Sequence, residues 1–75
     1  MLDRIISDPA ILGGKPIIRG TRISVEIILE WIASGATRDD IVLKHPHLSA
    51  VDVEQALAYA ASAVRNEVLV SAEIP

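Results

Sequence analysis

The sequence changes its rhythm at Ser24. Before that point Asp8-Pro9, Gly13-Gly14-Lys15-Pro16 and Gly20-Thr21 break the chain into short pieces. After it, apolar residues recur with a period of 3.6, the signature of helices with one buried face. Arg4-Ile5-Ile6-Ser7 and Pro16-Ile17-Ile18-Arg19 read as two short β-branched strands, and Gly20-Thr21 turns the chain into Arg22-Ile23. Two or three such strands are barely stable in water, so this arm must pack on helices or pair with another chain.

Three helices follow. Ser24 caps the first, which runs to about Ser34 with Gly35 as a left-handed stop. Thr37 caps the second, with Asp40 in the capping-box position, Asp39 and Asp40 favouring the positive helix end, and Pro46 ending it near His45. Ser49 opens the third, with Asp52 as its box partner and Leu48 and Val53 placed as a hydrophobic staple. This helix is expected to reach Asn66 and to extend towards Val70. The fold class expected is mainly α: a three-helix, helix-turn-helix-like bundle (residues 24–70) preceded by a β arm or hairpin (1–23) and followed by a tail (71–75), all one domain.

A chain of 75 residues buries a marginal core. Disulfides, a metal or a partner usually compensate, and the absence of cysteine removes the first, along with thiolate zinc sites and thiol nucleophiles. A partner chain is the expected support. The composition, 51% hydrophobic with no Phe, is too rich in Ile, Val, Leu and Ala for disorder. No apolar run reaches the roughly 18 residues of a membrane helix, and the start lacks a basic region with a long apolar block. A cytoplasmic protein without membrane contact is therefore expected.

The net charge of −3 is unevenly placed. In residues 1–22 four cations face two carboxylates, leaving +2; in residues 23–75 three cations face eight, leaving −5. A polyanion should prefer the arm.

In the first helix Val25, Ile28, Leu29 and Ile32 form one stripe, whereas Ile27 and Trp31 point roughly 130° away from its centre. That second pair is expected either under the arm of its own chain or in a homodimer interface, where a buried Trp is a common anchor. In the third helix Val53, Leu57, Ala60, Ala61, Val64 and Val68 form the expected core stripe.

No residue set reads as catalytic. Gly13-Gly14-Lys15 resembles a phosphate-binding loop only superficially, because Pro16 follows and no helix starts there. His45-Pro46-His47 has no third ligand and reads as a pair of solvated loop histidines. Ser24, Thr37 and Ser49 are explained as caps, so a non-enzyme without metal or cofactor is expected. Arg19-Gly20-Thr21-Arg22 is the most pointed local feature. Its arginines either clamp a phosphate or a partner's carboxylate, or close a turn by pairing with acids of the helices. In the third helix Asp52 and Glu54 oppose phosphate approach, and Gln55 is the one good base reader. The candidate nucleic-acid or phosphate contacts are therefore Lys15, Arg19, Thr21, Arg22 and Gln55.

The run Ile6-x-Asp8-Pro9-x-Ile11-x-Gly13-Gly14-Lys15-Pro16-Ile17-Ile18-Arg19-Gly20-Thr21-Arg22-Ile23 resembles the domain-of-unknown-function 433 family of small bacterial and archaeal proteins. So do Gly35, Asp39-Asp40-Ile41, Pro46-x-Leu48-Ser49 and Ala56-Leu57-x-Tyr59-Ala60. The resemblance implies a helix-turn-helix domain with a β arm. It also implies an antitoxin role, in which such a protein silences a PIN-like toxin ribonuclease encoded next door, as in VapBC-type modules, and the complex represses its own promoter DNA. It supplies no catalytic residues. VapB-type antitoxins wrap their toxin with a C-terminal tail, and here only Glu67 to Pro75 follow the third helix. Neutralisation would then need the arm, a helix face, or the tail residues Val68, Leu69, Val70 and Ile74. The alternative expectation is a homodimeric protein-interaction module with no nucleic-acid role.

Overall fold

The computed structural model describes residues 2–67, with residues 66 and 67 described by their backbone alone. Two short strands, β1 (Ile5–Ile6) and β2 (Ile17–Ile18), precede three helices: α1 (Val25–Ala33), α2 (Arg38–Lys44) and α3 (Ala50–Glu67). The strands pair antiparallel with Ile5 opposite Ile18 and Ile6 opposite Ile17. Beyond β2 the chain folds back so that Ser24 bridges Ile17, and the Val25 N–H donates to the Pro16 carbonyl at 3.0 Å. The arm is thus hydrogen-bonded directly into the start of α1. A 3₁₀ turn at Leu12–Gly14 sits between the strands, with Leu12 (φ 49°) and Gly13 (φ 66°) both left-handed.

The helix ends follow from local chemistry. Ser24 Oγ accepts the Ile27 N–H at 3.0 Å. At the other end of α1, the Ala36 N–H donates to the Trp31 carbonyl and the Gly35 N–H to the Ile32 carbonyl, both at 3.0 Å. This is a Schellman closure with Gly35 at φ 106°, a conformation that costs glycine little. α2 opens with a full capping box: the Asp40 N–H donates to Thr37 Oγ1, and the Thr37 N–H donates to Asp40 Oδ2. Ser49 and Asp52 do the same for α3 at 2.9 and 3.2 Å.

The core is a cluster of Ile18, Val25, Ile28, Ile41, Leu48, Val53 and Ala56, one or more from every element except β1. Ile5, Ile27, Leu29, Trp31, Ile32 and Tyr59 pack half-buried around it.

The face of α3 differs from the expected stripe. Val53 is buried, but its buried companions are Asp52 and Ala56, whereas Leu57, Ala61 and Val64 are exposed. Asp52 is the reason. Its carboxylate must face the arm to hold Arg4, and that turns the helix so that the apolar stripe lies on its shoulder. Val68, the last residue of the expected stripe, and the helical extension towards Val70 lie outside the described residues.

Candidate interaction surfaces

Asp52 is the centre from which the arm is held. Its side chain is 1% exposed, and Oδ1 accepts the Arg4 Nε–H at 2.6 Å while Oδ2 accepts the Ser49 N–H. Burial alone would raise its pKa. The Arg4 guanidinium and the Ser49 cap together outweigh burial and leave the carboxyl below its ordinary value. Arg4 also donates through Nη2 to the Arg19 carbonyl at 3.2 Å, and its backbone N–H donates to Gln55 Oε1 at 2.7 Å. The Gln55 amide in turn donates to Asp3 Oδ1 at 2.9 Å, the main cause of a lowered Asp3 pKa. Arg4, Asp3, Asp52 and Gln55 therefore form one network from β1 to α3. Reasoning from sequence missed Arg4 and Asp3 as functional parts of the fold, because their partners lie about fifty residues away and no local pattern announces them.

The network places the expected contact residues in different situations. Gln55 is bonded to the arm through both ends of its amide, so in this structure it is a brace and does not face outwards as a base reader. Lys15 pairs with Glu26 of α1 at 2.7 Å, with both side chains exposed, and that bond raises the lysine pKa. Thr21 Oγ1 donates to the Ile18 carbonyl and accepts the Ile23 N–H, closing the turn in which Gly20 stands at φ 80°. Arg19 is exposed, and its Nε donates to the Asp3 carbonyl at 3.0 Å. Arg22 is exposed and bonds to no other side chain among the described residues. Among the described side chains neither arginine pairs with Glu26, Glu30, Asp52 or Glu54, the pairing expected for a purely structural turn. The loop therefore presents two guanidiniums on a turn fastened by Thr21.

Ile27 and Trp31 are half-buried against the core. His45, at the C-terminal cap of α2, stacks on Trp31, with the rings 4.3 Å apart and 10° between planes. His45 is accordingly a packed residue and not the solvated one expected, while His47 is exposed. Beside this stack lies an open cleft of about 630 Å³ lined by Trp31, Ser34, Ala36, Asp40, Lys44 and His45. A second groove, about 320 Å³, lies between the arm and α1 on one side and the later half of α3 on the other; the Lys15–Glu26 pair borders it, and Leu29, Tyr59, Ala60 and Val64 supply apolar wall. Among the described residues no three His, Asp or Glu side chains come together as metal ligands.

The chain is similar to known proteins along most of its length. It is 33% identical over 72 residues to the uncharacterized protein y4eO of Sinorhizobium fredii, an alignment covering 95% of this chain and 33% of that one. The chain thus spans about a third of that relative. The crystal structure of a DUF433 member protein from Anabaena variabilis matches with a TM-score of 0.79 at 28% identity, covering 85% of this chain and 63% of the other. The model of the family described as protein of unknown function (DUF433) matches residues 5–60, the arm and the three helices to the middle of α3, and the chain belongs to that family.

Proposed function

We propose that the chain is an antitoxin-like regulator: a binding protein that neutralises a PIN-like ribonuclease and, as a dimer, contacts promoter DNA through its arm. The observation that carries this reading is the turn at Arg19–Arg22. It holds two exposed guanidiniums that pair with no carboxylate among the described residues, on an arm fixed to α3 through Arg4 and Asp52. Phosphates are the natural partners of such a fork of donors. The ribonuclease is assigned to the arm or to a helix face of the domain. A module that matches only a third of a longer relative is also in keeping with a portable binding unit.

The reading is of a non-enzyme. The Ser24, Thr37 and Ser49 hydroxyls each accept a backbone N–H at a helix start, and among the described residues no histidine or carboxylate accepts a hydrogen bond from them. The setting proposed is the cytoplasm; no described helix is long and apolar enough to cross a membrane.

The test combines two measurements. The product of the neighbouring gene should co-purify with this chain and lose ribonuclease activity in the complex. A gel shift on the upstream DNA should weaken steeply with salt and drop at least tenfold in Arg19→Ala/Arg22→Ala. One observation favours the alternative, a homodimeric interaction module without nucleic acid: Gln55 is tied to the arm and Glu54 is exposed on the same helix, which leaves the start of α3 poorly suited to a major groove. A shift that ignores both arginines, or none even with the partner present, selects that alternative.

A further inference from the structure

From Leu57 to Arg65 no side chain of α3 is fully buried. The domain covers Asp52, Val53 and Ala56 near the start of the helix, and the later half runs beside α1 with an open groove between them. Leu57 is 39% and Val64 56% exposed; Ala61 is exposed and Ala60 half-exposed. At 100° per residue these four fall within about 100° of arc, a stripe two turns long. Glu54 and Arg65 both border it on the Ala61 side, one near each end.

We propose that a second copy of this chain covers the stripe, with the two α3 helices packed antiparallel about a twofold axis passing between Ala60 and Ala61. The inference deepens the dimer in the function proposed above and rests on it. With Ala60 of one copy opposite Ala61 of the other, Leu57 faces Val64 twice over, and small side chains at the axis let the backbones approach. In the same register Arg65 of one copy comes within two residues, about 3 Å along the axis, of Glu54 of the other. Glu54 also holds Arg38 of its own chain, and a carboxylate accepts both. The direction is decided by this charge pattern. A parallel pair would set Glu54 against Glu54 and Arg65 against Arg65.

The full chain should sediment as a dimer, and Leu57→Glu and Val64→Glu should each weaken it at least tenfold while helix content stays unchanged, because both side chains already meet solvent. Arg65→Glu should weaken it and Glu54→Arg/Arg65→Glu should restore it. The chain has no cysteine, so one introduced thiol reports alone: Ala61→Cys should yield a disulfide dimer under mild oxidation, and Ala58→Cys, off the stripe, should not. A dimer indifferent to both glutamates, or linked as readily through Ala58→Cys, overturns the α3 pairing and leaves a dimer of another kind. A chain that stays monomeric, alone and on DNA, overturns the dimer as well. An intact α3 dimer that shifts no DNA counts against the regulator reading alone.

Discussion

Asp52 shows how one side chain ties distant parts of the molecule. It completes the cap of α3, fixes Arg4 of the arm, and decides which face of α3 turns inwards. Removing one partner from such a buried pair leaves the other uncompensated, at a cost of about 3–5 kcal/mol when both are enclosed. Arg4 is one-third exposed, and solvent takes up part of that loss. Asp52→Ala should therefore cost about 2–3 kcal/mol, the lost cap included, read as a lower denaturant midpoint at unchanged slope. Trp31 offers a second residue-scale measurement because it is the sole tryptophan. His45→Ala removes the ring stacked on it and should cost about 0.5–1.5 kcal/mol. The fluorescence of the folded protein should shift to the red as water reaches the indole. An unshifted spectrum would mean that the stack does not shield Trp31 in solution.

At the scale of elements, everything set within a few residues was legible. Ser24, Thr37 and Ser49 start the helices, Gly35 and Pro46 stop the first two, and the Asp40 and Asp52 boxes close as their spacing demands. A cap is a contract between residues three apart, so sequence contains all of it. Thr37→Ala should accordingly cost about 1 kcal/mol, with the loss confined to α2 in amide exchange; protection lost equally from α3 would show that α2 does not fray on its own. The rotation of α3 was not legible. The stripe Val53, Leu57, Ala60, Ala61, Val64 has good helical periodicity, but periodicity says that a face is apolar and not what covers it. The competing term was the ion pair between Arg4 and Asp52, 48 residues apart. The same gap explains Gln55: its residue type fits a base edge, and only the folded arm shows its amide already engaged. In the arm the two strands and the turn were legible from Pro, Gly and β-branched residues, while the bridge from Ile17 to Ser24 depends on where α1 begins.

For the molecule as a whole, the arm and the bundle should lose their hold on each other in acid. Three carboxyls in three places have pKa values below the ordinary 3.8: Asp3 through the bond from the Gln55 amide, Asp40 through the Thr37 N–H, and Asp52 because Arg4 and Ser49 overcome its burial. Each binds its proton less readily folded than unfolded, so each contributes stability above its unfolded pKa and surrenders it as the pH falls through the folded value. The thermal midpoint should thus fall steadily from about pH 5 downwards and continue to fall below pH 3.8. Two of the three, Asp3 and Asp52, sit in the network joining β1 to α3, so the arm should detach early in this window, before the helices melt. An amide probe on the arm would then change at higher pH than far-ultraviolet ellipticity. Asp52→Asn should lower stability at neutral pH and flatten the acid limb, because the variant no longer has that proton to bind. If the variant's acid limb runs parallel to that of the unaltered chain, Asp52 is not among the groups that acid titrates, and the clamp between arm and helix is held by something other than this ion pair.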